Sequence, residues 1–180
     1  MPGKLFALNV GRVNTAVMLH ARSGLRLAEV AKAADLPRQI VASALSTLEK
    51  KGIVRRSRVG DHDVFSADTR SPYFPAAYLT AIVDLPVAAA LGSRRALACY
   101  LYGSLATPGT ARAVSDVDLL VVGDFRDKAD VREALSPIGE RLERRIDAFV
   151  LTPEQLDEGI RSDDAHIRAA LAGVRIFGQV

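Results

Sequence analysis

Cysteine is almost absent from this chain. The single thiol, Cys99, excludes an intramolecular disulfide and a thiolate zinc cluster. It lies inside the apolar run Leu97-Ala98-Cys99-Tyr100-Leu101, where a buried, inert side chain is expected. Histidine is scarce too: His20, His62 and His166 are scattered, show no metal-ligand spacing, and read as structural. There is no internal repeat and no low-complexity tract. The chain has neither a Walker lysine loop nor a dinucleotide glycine fingerprint, so those two ways of holding phosphate are not supported. Met1 to Phe6 lacks the apolar core of a signal peptide. The richest apolar stretch, residues 76–92, is broken by Asp84 and Pro86 and is expected to fall short of a membrane span. These absences point to a cytoplasmic protein with no membrane partner.

What is present is ordinary globular material. Hydrophobic residues make up 49% and charged residues 25% of 180, which argues against disorder and allows one medium domain or two small ones. The charge is unevenly spread. Residues 1–72 hold 12 Lys and Arg against 6 Asp and Glu, whereas residues 73–180 hold 12 against 15. A basic first part joined to a mildly acidic remainder suggests two domains, the first facing a polyanion.

The pattern of the first part gives that charge a purpose. Val13, Val17, Met18 and Leu19 repeat with helical period, ending near Ser23-Gly24. Arg26 to Ala34 reads as a second helix with Leu27, Val30 and Ala31 inward. Pro37 suits the first position of a third helix, which runs to about Lys50 with Ile40, Val41, Ala44, Leu45 and Leu48 apolar and is stopped by Gly52. Residues 53–59 and 62–65 then read as two strands around the turn Gly60-Asp61. Three helices followed by a hairpin is the order of a winged helix-turn-helix, and Leu27-Ala28-Glu29-Val30-Ala31 with Leu48 to Val54 resembles bacterial transcription regulators of that type.

The resemblance implies double-stranded DNA as partner and a third helix that reads it. Arg38 and Gln39 are the candidates for base contact, with Ser43 on the same polar side. Lys50, Lys51, Arg55, Arg56 and Arg58 are assigned to phosphates, which position without reading sequence. The wing tip, Gly60-Asp61-His62-Asp63, departs from the basic tip usual in such wings. The other reading of this domain is a dimerisation or packing module.

Residues 1–68 are thus expected as the winged helix-turn-helix domain, 69–96 as a helical linker and 97–180 as a second domain. Tyr73 to Val83 reads as a helix able to carry a homodimer interface, since helix-turn-helix regulators usually bind DNA as dimers.

The second domain is organised around two apolar strands. The first, from Leu97, ends in Tyr102-Gly103-Ser104. After eleven further residues the second is entered through Asp116-Val117-Asp118. Aspartates two apart leave one face of a strand together, repel one another and suit a hard divalent cation. Gly103 permits a sharp turn and close approach of a ligand, and Ser104 adds a hydroxyl and an N–H at an expected helix start. Each has a plainer reading: Asp116 as a turn cap, Ser104 as a helix cap.

Gly103-Ser104 with the spaced Asp116 and Asp118 resembles the signature of the nucleotidyltransferase superfamily that includes DNA polymerase β, in particular its minimal branch. The likeness spans roughly residues 97–180. It implies a third carboxylate on a later strand, and Asp147 in the expected strand 146–151 stands there, unless it simply pairs with Arg144 or Arg145. A helix on Val131, Leu135, Ile138 and Leu142, a capped helix after Thr152-Pro153, a helix over 164–172 and a closing strand at 174–177 complete an α+β domain with a small mixed sheet.

By that resemblance, Asp116, Asp118 and Asp147 hold Mg²⁺ or Mn²⁺ and are catalytic, and the substrate is a nucleoside triphosphate. Gly103, Ser104 and Arg112 bind its phosphates; relatives commonly show Ala-Arg-Gly where this chain has Thr107-Pro108-Gly109, and Arg112 is the nearest basic replacement. The acceptor is a protein or an RNA, a partner toxin being the antitoxin-like case. The alternative function is a DNA-binding transcriptional regulator whose nucleotidyltransferase-like domain only binds or senses a nucleotide.

Overall fold

The computed structural model describes residues 2–178 apart from 21, 23, 93–95, 108–109 and 111–114, and for residues 2–7 the backbone only. The chain is mixed α+β with two sheets and divides into two compact units. Residues 1–84 with 141–143 form one, and 85–140 with 144–180 the other.

The first unit is built on α1 (Pro2–Leu19), β1 (Leu25–Arg26), α2 (Leu27–Ala34), α3 (Arg38–Lys50), β2 (Val54–Val59), β3 (His62–Ala67) and α4 (Phe74–Val83). α1 begins well before the expected stripe, and Val13 to His20 are all buried. Burial on every side of a helix means neighbours on every side, and these are α2, α3 and α4. Two polar side chains inside α1 are met by α4: Asn14 Nδ2 donates to the Ala77 carbonyl at 2.7 Å and Thr15 Oγ1 to that of Ala81 at 3.3 Å. α2 opens where Glu29 accepts from the Arg26 N–H at 2.7 Å. α3 buries Val41, Ala44, Leu45 and Leu48 as expected, but Ile40 is exposed and Pro37 caps the helix from outside.

The first sheet has the order β1-β3-β2, all antiparallel. Val59 pairs with His62 across Gly60-Asp61, and Gly60 takes φ +58°, the requirement for the first turn residue of a type II′ hairpin.

The second unit contains α5 (Val87–Leu91), β4 (Ala96–Tyr102), a 3₁₀ turn (Gly103–Ala106), β5 (Val117–Gly123), all but the last two residues of α6 (Lys128–Leu142), β6 (Ile146–Leu151), α7 (Pro153–Arg161), α8 (Ala165–Leu171) and β7 (Val174–Gly178). Its sheet runs β6-β5-β4-β7, with only the β5–β6 pair parallel. A parallel pair needs a crossover, and α6 supplies it. One face of the sheet carries Ala98, Tyr100, Leu120, Val122 and Leu151, which pack with Leu156 of α7 and Ile167 and Ala170 of α8. Cys99 points into the protein on another strand position, fully buried, and burial pushes its thiol up to about 12.

Two boundaries differ from expectation. Residues 69–96 are no linker: α4 packs on α1 in the first unit, whereas α5 packs on β4 and β7 in the second. The hydrophobic residues Ala77, Tyr78, Ala81 and Ile82 are the cause, since their burial completes the first core. The stretch Phe74–Leu91 is apolar and long enough, by composition, to cross a membrane. It is nonetheless broken at 84–86, and the ten residues of α4 extend only about 15 Å against a bilayer core of about 30 Å.

Candidate functional site

The site lies where three strands of the second sheet end together. β5 and β6 run parallel in the register Asp118↔Asp147, and β4 runs against β5 in the register Tyr102↔Asp118. Register partners leave the same face of a sheet, so these three side chains stand in a row beyond the apolar cover of Leu120, Val122 and Phe149. Two carboxylates side by side on neighbouring strands are unfavourable unless something compensates them.

The strain shows in the titration of the group in the middle. Partial burial pushes the Asp118 carboxyl above its ordinary range, and the negative charges of Asp116 and Asp147 push it further, while His166 and Arg145 pull it back. Burial, Asp118 and Asp147 likewise raise the Tyr102 phenol.

Gly103 is required twice over. Its φ is +69°, and a Cβ built there would lie 2.1 Å from Asp118 Oδ2. The glycine thus lets the backbone turn against the carboxylate itself. Ser104 follows in a 3₁₀ turn instead of the expected helix start and is exposed. Its carbonyl accepts the Thr110 hydroxyl.

Asp116 sits one residue before β5 begins, so of the Asp116–Asp118 pair only Asp118 is held by strand pairing. The entry to β5 is fixed from the neighbouring chain segment: Arg144 Nη1 donates to the Ser115 carbonyl at 2.6 Å and the Val117 N–H donates to the Arg145 carbonyl at 2.8 Å. The Arg145 guanidinium reaches both flanking carboxylates, Asp116 at 4.0 Å and Asp147 at 3.8 Å. The pairing of Asp147 with an adjacent arginine, one of its two readings from sequence, is therefore present, and it coexists with the register pairing to Asp118. Among the described residues no three His, Cys, Asp or Glu side chains stand together as a ready metal site. The donor chemistry still suits a divalent cation, because carboxylate oxygens are hard ligands and the charges of Asp116 and Asp147 both bear on Asp118 at one sheet end. Arg112 lies outside the described residues.

Sequence reading missed the histidine here. His166, on α8, approaches Tyr102 Oη with Nε2 at 3.3 Å and meets the Tyr102 and Phe149 rings edge-to-face, with centroids 5.4 and 4.8 Å apart. Nothing in its spacing signals this, since α8 must first fold back on the sheet. Tyr102 carried a signal that was available, standing next to Gly103.

In the first unit, Arg38, Gln39, Ser43 and Lys50 are exposed on α3, Lys51 just follows it, and Arg55, Arg56 and Arg58 are exposed on β2. Arg56 is not unopposed. It forms an ion pair with Asp63 across the hairpin and lies over the Phe65 ring at 5.9 Å. The hydrogen bond from Arg56 holds the Asp63 carboxyl below its usual range. No protein-family model, curated protein or solved structure matches this chain.

Proposed function

We propose that the second unit is a metal-dependent nucleotidyltransferase domain of the DNA polymerase β-like, minimal type, joined to a DNA-binding winged helix-turn-helix in the first unit of a cytoplasmic protein. The observation that carries this reading is the pairing of Asp118 with Asp147 across parallel strands, with Gly103 turned against the Asp118 carboxylate. A structural role gives no reason for such a row.

In this reading Asp116, Asp118 and Asp147 hold Mg²⁺ or Mn²⁺, which supplies charge neutralisation and Lewis acidity at the phosphates of a bound nucleoside triphosphate. Gly103 and Ser104 present backbone N–H and hydroxyl donors to the phosphate tail, and Arg112 lends positive charge to it. The acceptor is a protein or RNA hydroxyl, as in antitoxins that modify a partner toxin. Support for the DNA-binding half comes from the order of three helices and a hairpin, with exposed Arg38 and Gln39 opening α3.

Incubation with Mg²⁺ and each labelled nucleoside triphosphate, alone and with cell lysate, tests the enzyme. The expected result is label on an acceptor and release of pyrophosphate, both abolished by Asp116→Ala with Asp118→Ala. Absence of transfer under every condition, or full transfer by the double variant, refutes it.

One observation favours a second reading. Arg145 already reaches Asp116 and Asp147, which is how a site that binds a nucleotide without turning it over could balance its charge. The chain is then a DNA-binding regulator, homodimeric through α4, that senses the nucleotide. A nucleotide-dependent gel shift without label transfer is its signature.

A further inference from the structure

We infer that His166, with Tyr102 and Phe149, forms a stacking wall that takes the base of the nucleoside triphosphate. The inference rests on the nucleotide-site reading above and assigns the part of the substrate that the carboxylates and Gly103 leave without a partner. A triphosphate is recognised by charge and by N–H donors; a base needs a flat ring face close by.

The His166 ring provides that face, with the Tyr102 and Phe149 rings set edge-to-face against it. Phe149 is two residues along β6 from Asp147, a rise of about 6.6 Å on the same face, and Tyr102 is the register partner of Asp118. His166 is exposed, yet its ring is held by the Tyr102 hydroxyl and by edge-to-face contact with both neighbours. Its backbone is held as well, since Asp164 Oδ1 accepts from the His166 N–H at 2.8 Å and from that of Ile167 at 3.0 Å. An exposed ring with its orientation fixed in this way loses little freedom when a base stacks on it, and histidine, tyrosine and phenylalanine all serve bases so. Stacking also discriminates weakly among bases, so the wall selects nucleotides as a class.

Calorimetric titration separates the base from the phosphates. The full-length protein is titrated with ATP, GTP, CTP and UTP in turn, and with inorganic tripolyphosphate, all with Mg²⁺. His166→Ala is expected to weaken the best-bound nucleotide at least about fivefold while leaving tripolyphosphate unchanged. His166→Phe, which restores a ring, is expected to recover binding to within about twofold of the parent. The inference is overturned if His166→Ala binds the nucleotide as the parent does, if it weakens tripolyphosphate equally, or if His166→Phe behaves like His166→Ala. A parent protein that binds neither nucleotide nor tripolyphosphate overturns the nucleotide-site reading itself, and the inference with it.

Discussion

Gly103 and Asp118 show at the scale of single residues how the site is made. A side chain at position 103 meets both a positive φ and a carboxylate oxygen 2.1 Å away. Gly103→Ala is therefore expected to destabilise the second unit by about 1–3 kcal/mol. Part of that loss should be recovered in an Asp118→Ala background, where only the backbone strain remains, and a double-mutant cycle in urea measures the coupling.

Asp118 itself carries a stability cost. Its folded carboxyl titrates above its unfolded value, so the folded state resists ionisation. Stability is then highest below the ordinary carboxylate range and declines as pH rises through the unfolded value toward the folded one. In metal-free buffer, Asp118→Asn should raise the unfolding free energy at pH 7 modestly, by less than about 1 kcal/mol given its partial exposure. The gain should vanish near pH 3. The same substitution should abolish nucleotide transfer, the trade expected of a functional carboxylate. Asp118 was legible because an aspartate inside Val117 to Val122 is costly to bury without purpose. The Arg145 pairing with Asp147 was legible too, as one of two readings, whereas its reach to Asp116 and the place of His166 were not, because they are set by strand register and by helix docking.

At the scale of elements, short pieces rely on their ends. α8 has seven residues, too few to persist without help, and Asp164 satisfies two of its first N–H groups. Those bonds depress the Asp164 carboxyl, so its contribution is present above the ordinary carboxylate range and is lost as pH falls through the folded value. Hydrogen exchange should accelerate over residues 166–170 in Asp164→Ala and stay near the parent rate in Asp164→Asn, which keeps an acceptor.

The hairpin makes a different point. Asp63 already occupies Arg56, so a phosphate has to compete for that guanidinium. If the hairpin meets DNA, Asp63→Asn should tighten binding and steepen the plot of log affinity against log salt by about one unit. Unchanged affinity and slope would place β2 away from the backbone. Most helices and strands were readable from period and capping residues, such as Thr152 with Gln155 at α7. α1 was read short because its early turns do not form a stripe, and the 3₁₀ turn after Gly103 has no pattern of its own.

At the scale of the whole molecule, two units with opposite charge follow from where the basic residues fall in the chain. The division comes at 84–85, inside the stretch read as a linker. Composition marks a linker by polarity, and this one is apolar because each half completes a different core. The sheet order β6-β5-β4-β7 is the feature on which the site depends, since it brings residues 102, 118 and 147 to one end from across 46 positions of sequence. The three strands were read from the sequence as parts of a small mixed sheet; their order and register were not.

Binding of Mn²⁺, followed by the loss of its free-ion paramagnetic resonance signal with and without a nucleoside triphosphate, tests the site most directly. Uptake by the parent protein should rise when nucleotide is added and should fall away in Asp118→Asn and in Asp147→Asn, with Asp163→Asn as an exposed acidic control that changes nothing. Equal uptake by all four proteins, or none by the parent, would contradict the assignment of the paired carboxylates.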